Sequence, residues 1–364
     1  MSTSRHETRD SRHDRASCLA ATSRVARCAS RSPLIWFLTA VFLGISLALI
    51  ANEALAIDTN RPDVQQFIGE MVQKHHFHRG SLRKLLRDAQ SKPKIIETIT
   101  RPAEQVLPWF EYRARFLTER RVNTGVAFWN QQGKQLERAT RETGVSPEVI
   151  LGILGVETMF GEQTGRYRVL DALVTLGFDY PPRGDFFRGE LEEYLLLTRS
   201  EKIDPRKALG SYAGAIGAPQ FMPSSYRKFA VDGDGNGHRD LWASWPDIVM
   251  SVANFLKSNG WRADQPVVVS ATLDPSDLAK FDTAKIRLNE TVASLREKGA
   301  RFETDLPSDA GAMLIAVESR DGAEYRVGFQ NFIALSRYNP RVKYVLAVHD
   351  LGAAIARARA DAKR

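Results

Sequence analysis

The chain has 364 residues, of which 43% are hydrophobic and 26% charged, with a formal net charge of +8. A chain of this length can build about two or three units, each with a real core. A mild positive excess suits an anionic polymer, but there is no zinc finger, no RNA-binding signature and no basic helix interleaved with aromatics, which argues against nucleic acid as a partner.

The N-terminus carries much of the charge. Residues 1–31 hold seven Arg against three acidic residues, and beyond residue 56 the balance is 44 basic against 39 acidic. The stretch "PLIWFLTAVFLGISLALIA", residues 33–51, is uncharged and leads into Asn52-Glu53-Ala54-Leu55-Ala56, with small residues at 54 and 56. A basic region, an apolar region and a small-x-small site form the layout of a secretory signal. An apolar run of about seventeen residues also spans a bilayer when it is left uncleaved, so a membrane anchor is the alternative. Either way, residues 1–56 are expected to direct the rest of the chain out of the cytoplasm to the periplasm or cell envelope. Cys18 and Cys28 both precede the apolar run. The exported part therefore has no disulfide and must be held by packing, with or without a metal.

Residues 60–145 show helical spacing in "DVQQFIGEMVQKH" and "GVAFWNQQGKQLERATRETG", with Pro102 and Pro108 marking connections between helices. Ser146-Pro147-Glu148 has the composition of a helix start, and that helix is expected to run through Glu157 and stop near Gly161. A second amphipathic helix covers 185–200, a Gly-rich stretch and an acidic loop follow, and another helix lies near 246–258. After Trp261 the texture changes: "PVVVSA", "KIRL", "AMLIAVE" and "EYRVGF" read as short strands between turns. The tail, 341–360, is helical again.

Three stretches carry chemistry-bearing residues. In "ILGVETMFG", residues 153–161, one carboxylate, Glu157, interrupts an otherwise apolar run. A helix that is apolar all round is a buried one, and an acid there is either paired with a distant cation or kept protonated near neutral pH to donate a proton. "GSYAGAIGAPQFMPSSY", residues 210–226, has small residues that let backbone approach a ligand, with Ser211 and Gln220 as hydrogen-bonding groups. Packing by small residues is the plainer alternative. Asp232-Gly233-Asp234-Gly235-Asn236-Gly237 places oxygens at positions 1, 3 and 5 of a calcium loop with Gly at 6, and His238 would add its carbonyl at 7. The alternative is an ordinary surface turn.

"GVETMFG", "SYAGAIGAPQFMPSSY", "DGDGNGHRDLW", "DIVMSVANFLKSNGW" and "RYNPRVKYVLAV" follow one another in an order and spacing that resembles the lytic murein transglycosylase B family, from about residue 60 to residue 355. The resemblance implies a mainly α (α+β) fold with a lysozyme-like catalytic core at 141–264 and 330–344. It also implies a flanking α-helical domain at 57–140 with the C-terminal helix 345–364, and a small β-rich domain at 265–329. It implies cleavage of the β-1,4 bond between N-acetylmuramic acid and N-acetylglucosamine in peptidoglycan with formation of 1,6-anhydro ends. Glu157 falls on the family's catalytic acid, and Ser211 and Gln220 on residues that contact the sugar. Tyr338 and Asn339 fall on residues closing the cleft, Tyr344 on its wall, and Tyr112 on a further wall aromatic. Calcium is the implied structural cofactor, held in loop 232–247 by Asp232, Asp234, Asn236 and His238. The ordinary loop ends in Glu at position 12, where this chain has Ala243; Asp247 is the candidate for the last ligand, with Asp240 the alternative.

The residues fit that chemistry. Glycosidases ordinarily use two carboxylates, and here no second acid is compellingly placed, since Glu162 lies five positions on. One carboxylate suffices when the C6 hydroxyl of the sugar is the nucleophile: Glu157 protonates the leaving oxygen and then removes the hydroxyl proton. Phe255 stands where some relatives carry Tyr, and Arg341 replaces a small polar residue after "YN". A hydrolysing muramidase and a calcium-stabilised peptidoglycan-binding scaffold are the rival readings. The expected partner is the glycan strand, with other cell-wall enzymes as a further class.

Overall fold

The computed structural model describes residues 55–101, 107–362 and 364. The export signal read from the residues before Leu55, and the break read at Pro102, lie outside them. Strand β1 (Leu55–Ala56) pairs antiparallel with β2 (Gln90–Ser91), bracketing helices α1 (Pro62–His75) and α2 (Arg79–Arg87). Helix α1 buries Val64, Phe67, Ile68 and Met71, the three-and-four spacing that puts one stripe of a helix inward. After α3 (Pro93–Thr100) and α4 (Trp109–Phe116), α5 (Glu119–Thr143) runs long and ends at Gly144. The backbone there is left-handed, at φ 74°, a conformation glycine adopts without steric cost.

Helix α6 (Pro147–Thr158) follows with proline in its first turn and eight buried residues. It meets α13 (Val342–Asp361) at unusually close range. A Cβ on Gly152 would lie 2.2 Å from the Val348 carbonyl oxygen, and one on Gly352 would lie 2.2 Å from that of Glu148. Only glycines allow the two backbones to come so near, and α6 and α13 are locked side by side as a result. Helix α7 (Val169–Phe178) is buried at every position and packs on α8 (Gly184–Ser200). Two short strands, β3 (Tyr167–Arg168) and β4 (Leu209–Gly210), pair antiparallel, and α9 (Pro223–Phe229) and α10 (Trp245–Ser258) complete this helical body. Among the described residues no helix is long and apolar enough to cross a membrane.

The β-rich part is a four-stranded sheet in the order β5 (Val268–Ala271), β8 (Gly322–Gly328), β7 (Gly311–Ser319), β6 (Glu290–Thr291), with α11 (Val292–Glu297) against it. Strand β7 reads as a continuous apolar run because both its faces are covered. Ala312 and Leu314 join a local core with Val292, Leu295 and Phe302, whereas Met313, Ile315 and Val317 face the main helical core, following the period of two. "KIRL", residues 285–288, is not a strand. Arg287 pairs with Asp282 at 2.7 Å and the Asn289 amide donates to the Asp282 carbonyl, so the segment closes as a loop while Leu288 packs where Gly311 leaves room. Helix α12 (Gln330–Ser336) returns the chain to the helical body and delivers it to α13.

One buried ion cluster ties three of these parts together. Asp350 on α13 is 7% exposed; it accepts from Arg326 of β8 at 2.6 and 2.9 Å and from Arg113 of α4 at 2.7 Å. Burial works to raise the Asp350 carboxyl's pKa, but hydrogen bonds from His349, Arg326 and Arg113 together with the Arg326 charge outweigh it and hold the group well below the usual carboxylate range. Replacing one member leaves buried charge uncompensated. Asp350→Asn is therefore expected to cost about 3–5 kcal/mol of stability at neutral pH. Because the folded-state pKa is depressed, that contribution is complete above about pH 5 and is lost as pH falls through the carboxylate range. Urea unfolding of both proteins at pH 7 and in acid checks this: the gap between them should narrow in acid. Equal stability at pH 7 would show that the cluster contributes nothing net.

Candidate active site

Glu157 sits in the last turn of α6, where the helix ends differently from a simple glycine stop. Met159, Phe160 and Gly161 adopt φ of 52°, 57° and 87° in succession. The Phe160 N–H reaches back to the Leu154 carbonyl and the Met159 N–H to that of Gly155, so the last carbonyls are satisfied. Non-glycine residues in the left-handed region cost energy and persist where the surroundings impose them. Here the imposing contact is Thr158, 1% exposed, whose hydroxyl donates to the Ala218 carbonyl at 2.8 Å and accepts from the Gly161 N–H at 3.0 Å. Thr158 thus fastens the end of the Glu157 helix to the Gly/Ala-rich loop. Sequence reasoning passed over it, although it adjoins Glu157 in the quoted motif.

The loop is equally constrained. Gly217, at φ 67°, lies so close to the Leu241 carbonyl that a Cβ would come within 2.0 Å of its oxygen. Gln220 is itself left-handed, at φ 53°, and its amide nitrogen donates to the Thr164 and Gly217 carbonyls. Those bonds orient the amide and leave its oxygen as an acceptor. The Ser211 hydroxyl oxygen accepts from the Ala213 and Ala215 N–H groups at 3.2 and 3.0 Å, so its own proton is available to a ligand.

These elements enclose a cavity of about 360 Å³ lined by Glu157, Ser211, Gln220, Tyr338 and Asn339, with Tyr212, Met222, Phe255, Arg337 and Arg341 among its other walls. Glu157 is half-buried and is the one carboxylate among the described lining residues. Glu162 turns elsewhere and pairs with Arg120 at 2.7 Å. Tyr338 donates to the Pro219 carbonyl at 2.5 Å and lies against Phe221 and Phe255.

Two aromatics read as cleft wall are buried and are not among the residues lining the cavity. Tyr344 is 3% exposed, stacks parallel to Tyr338 with ring centroids 6.5 Å apart, and donates its hydroxyl to Glu157 Oε1 at 2.6 Å. Tyr112 is 4% exposed and packs between Trp109 and Phe116, so neither lines the cavity in this conformation. The physical reason is the close approach of α13 to α6, which carries Tyr344 under the acid instead of beside the opening. Burial, with the Glu157 charge second, pushes the Tyr338 and Tyr344 phenols well above the usual tyrosine range. Both stay protonated, and Tyr344 stays a donor, across ordinary pH.

A second cluster lies in the acidic loop. One carboxylate oxygen each from Asp232, Asp234 and Asp247 lie within 4.8 Å of one another. Among the described residues no Lys or Arg pairs with any of the three. Asp247 is fully buried in the first turn of α10, where it accepts from the Gly233, Asp234 and Asp240 N–H groups. The Asp232 carboxyl lies below its usual range, chiefly through the Gly237 N–H. Three like charges this close repel, and an all-oxygen set of this kind fits a hard divalent cation such as calcium. Asp240 stands apart, its Oδ1 capping the Trp242 and Ala243 N–H groups. The Asn236 side-chain oxygen accepts from the His238 N–H.

With the geometry in place, comparison with known proteins gives a consistent result. Residues 59–353 match the transglycosylase SLT domain family. The membrane-bound lytic murein transglycosylase B of Escherichia coli is 40% identical over 309 residues, covering 82% of this chain and 84% of that protein. The crystal structure of the soluble lytic transglycosylase SltB1 of Pseudomonas aeruginosa superposes with a TM-score of 0.79 at 45% identity, over 82% of this chain and 100% of that one. An Escherichia coli lytic transglycosylase in complex with calcium gives 0.76 at 39% identity, over 84% and 97%. The chain belongs to the transglycosylase SLT family and is a lytic murein transglycosylase on a mainly α, lysozyme-like fold.

Proposed function

We propose that the protein cleaves the β-1,4 bond between N-acetylmuramic acid and N-acetylglucosamine in peptidoglycan, with Glu157 acting first as acid and then as base. The observation that carries this is the cavity itself: one carboxylate, bonded by a phenol, with no second acid among the described lining residues. Glu157 in its protonated form gives its proton to the leaving glycosidic oxygen. The resulting carboxylate, still held by the Tyr344 hydroxyl, then takes the proton from the C6 hydroxyl as that oxygen closes on C1. Ser211 donates to, and Gln220 accepts from, the sugar substituents, while Asn339 and Tyr338 hold the ring against the acid. The C6 hydroxyl, already part of the bound sugar, competes with water for the Glu157 carboxylate, and no second carboxylate among the described lining residues favours water.

The same reading makes Asp232, Asp234 and Asp247 the carboxylate ligands of a structural calcium, with Asn236 and the His238 carbonyl beside them. Calcium bound there would offset two of the three negative charges and pin the loop to α10. The site of action is the cell envelope, and residues 1–56 serve as the export signal to the periplasm, cleaved or retained as an anchor. Other cell-wall enzymes are the remaining partner class on this reading.

Digestion of purified peptidoglycan followed by mass spectrometry of the soluble muropeptides tests the chemistry. Intramolecular attack yields products lighter by one water than hydrolysis, and these should dominate. Glu157→Gln should lower turnover at least about a hundredfold, as expected for loss of a general acid, while binding of glycan persists. Mainly hydrated reducing ends would make the protein a muramidase, and binding without soluble products would favour the scaffold.

Tyr344→Phe separates the positioning of the acid from the packing. The ring is retained, so the thermal midpoint should move by only about 2–4 °C, the scale of one hydrogen bond in a chain this long. Loss of a hydrogen bond to a charged partner should lower kcat/KM by about ten- to a hundredfold. Wild-type activity in this variant would mean that the phenol does not orient Glu157.

Calcium added in excess should raise the thermal midpoint and a chelator should lower it, because a ligand bound only by the folded state stabilises that state. Asp234→Ala should abolish the difference without unfolding the protein. A wild-type melting curve indifferent to both additions would reduce the loop to an ordinary turn.

A further inference from the structure

Helix α9 begins directly after Gln220, Phe221 and Met222, three residues that line the cavity, and Ser225 in its first turn lines it too. The start of a helix leaves N–H groups without partners inside the helix, and the residue before it ordinarily supplies a side-chain oxygen. Met222 holds that position and caps nothing. Pro223 follows and has no N–H to satisfy. The next donor, the Ser224 N–H, is met from another helix. Glu190 of α8 accepts from it with Oε2 at 2.9 Å, and with Oε1 from the Ser224 hydroxyl at 2.7 Å. The cap of α9 thus comes from a residue 34 positions earlier in the chain.

Glu190 is 6% exposed, and among the described residues no Lys or Arg forms an ion pair with it. Burial raises its carboxyl's pKa above the usual range, against the pull of the Ser224 bonds; the Glu193 charge adds to the rise and the Arg183 charge opposes it. For packing alone, an apolar side chain of similar size would fill the place at lower cost. What the carboxylate does, and an apolar group cannot, is hold Ser224 in two directions at once. Its own helix is a firm base, with Phe187, Leu191, Tyr194 and Leu195 buried around it. At the other end of the same wall segment, Ile216 and Phe221 exchange both their backbone bonds, at 2.8 and 3.1 Å. Residues 221–224 are therefore held at one end by backbone pairing and at the other by Glu190.

We propose that Glu190 is a positioning residue for the transglycosylase reaction: by holding Ser224 it sets the wall of Gln220, Phe221, Met222 and Ser225 relative to Glu157. This rests on the reading of the Glu157 cavity as the glycan site, and Glu190 itself does not line that cavity. The consequence is specific to an intramolecular attack. The C6 hydroxyl must be brought onto C1 before water reaches it, and a misplacement of about 1 Å can cost on the order of a hundredfold in rate. A loosened wall therefore lowers turnover and also lets water capture a larger share of the product.

Full-length protein and its variants, compared on purified peptidoglycan, test this through two readouts: turnover per folded molecule, and the ratio of anhydro to hydrated ends by mass spectrometry. Glu190→Leu removes both bonds at similar volume and should lower turnover about tenfold or more, with a falling anhydro share. Glu190→Gln keeps both bonds, its carbonyl accepting from the Ser224 N–H and its amide donating to the hydroxyl, and should stay near wild type in both readouts. Ser224→Ala keeps only the backbone bond and should fall between them; it decides the matter if circular dichroism shows that Glu190→Leu does not fold. A lowered thermal midpoint in Glu190→Leu with both readouts unchanged would make Glu190 a packing residue and overturn the proposal. So would Glu190→Gln as impaired as Glu190→Leu, or Ser224→Ala equal to wild type where Glu190→Leu fails to fold. Hydrated ends from the wild-type protein would defeat the chemistry proposed for Glu157, and the order of turnover among the variants would still decide whether Glu190 sets the wall.

Discussion

The site depends on a contact between two backbones. Gly152 on α6 and Gly352 on α13 let the helices meet where any side chain would collide with a carbonyl oxygen. That distance decides where Tyr344 lies, eight residues before Gly352 on the same helix. With α13 pressed against α6, the phenol reaches Glu157 at 2.6 Å from below. With a Cβ at either glycine, α13 would have to ride outward, and the bond that orients the acid would lengthen. The packing of the two helices and the orientation of the proposed acid are therefore the same feature. Overpacking of this kind ordinarily costs about 1–3 kcal/mol, and here it would also displace the phenol that holds the acid.

The same helix anchors the β-rich part. Asp350 lies on α13 two residues before Gly352 and receives Arg326 from β8 and Arg113 from α4. The sheet has its own apolar core on one face, but its other face joins the main core through Met313, Ile315 and Val317. Apolar contact fixes how closely the sheet approaches, and the ion cluster adds direction, because a buried guanidinium is satisfied in few orientations. The sheet then hands the chain to α12 and to the turn bearing Tyr338 and Asn339. Its orientation is thereby transmitted to the wall of the cavity.

Much of this was legible in the sequence, for reasons that differ by element. The α1 stripe of Val64, Phe67, Ile68 and Met71 is a direct consequence of helical periodicity. Glu157 stood out because a carboxylate in an apolar run demands an explanation, and Asp232 and Asp234 because a Gly-interleaved acidic loop has few other uses. Asp247 is a candidate only through the family resemblance, and the buried start of α10 brings it within 4.8 Å of the other two. What could not be read is whatever depends on one helix's approach to another. The resemblance put Tyr344 and Tyr112 on the cleft wall, yet both are buried and neither lines the cavity in this conformation. "KIRL" has strand composition but is closed into a loop by Asp282, a pairing that composition does not encode. Thr158 escaped notice because its partner, the Ala218 carbonyl, is sixty residues away.

A lone carboxylate places an unusual demand on the rest of the cavity. In a two-carboxylate glycosidase, the second acid both activates the nucleophile and fixes where it stands. In the proposed reaction the nucleophile is part of the ligand, so its position relative to Glu157 would have to come from the walls. That explains why so many wall groups are spent on the protein itself. The Gln220 amide nitrogen, the Ser211 oxygen and the Tyr338 hydroxyl all hydrogen-bond to backbone of the 164–219 region. Each bond removes a rotation that would otherwise be lost on binding. Rigidity obtained in this way supplies the orientation that makes an intramolecular attack fast, and in the proposed reaction a single acid, held by Tyr344, would serve both proton transfers.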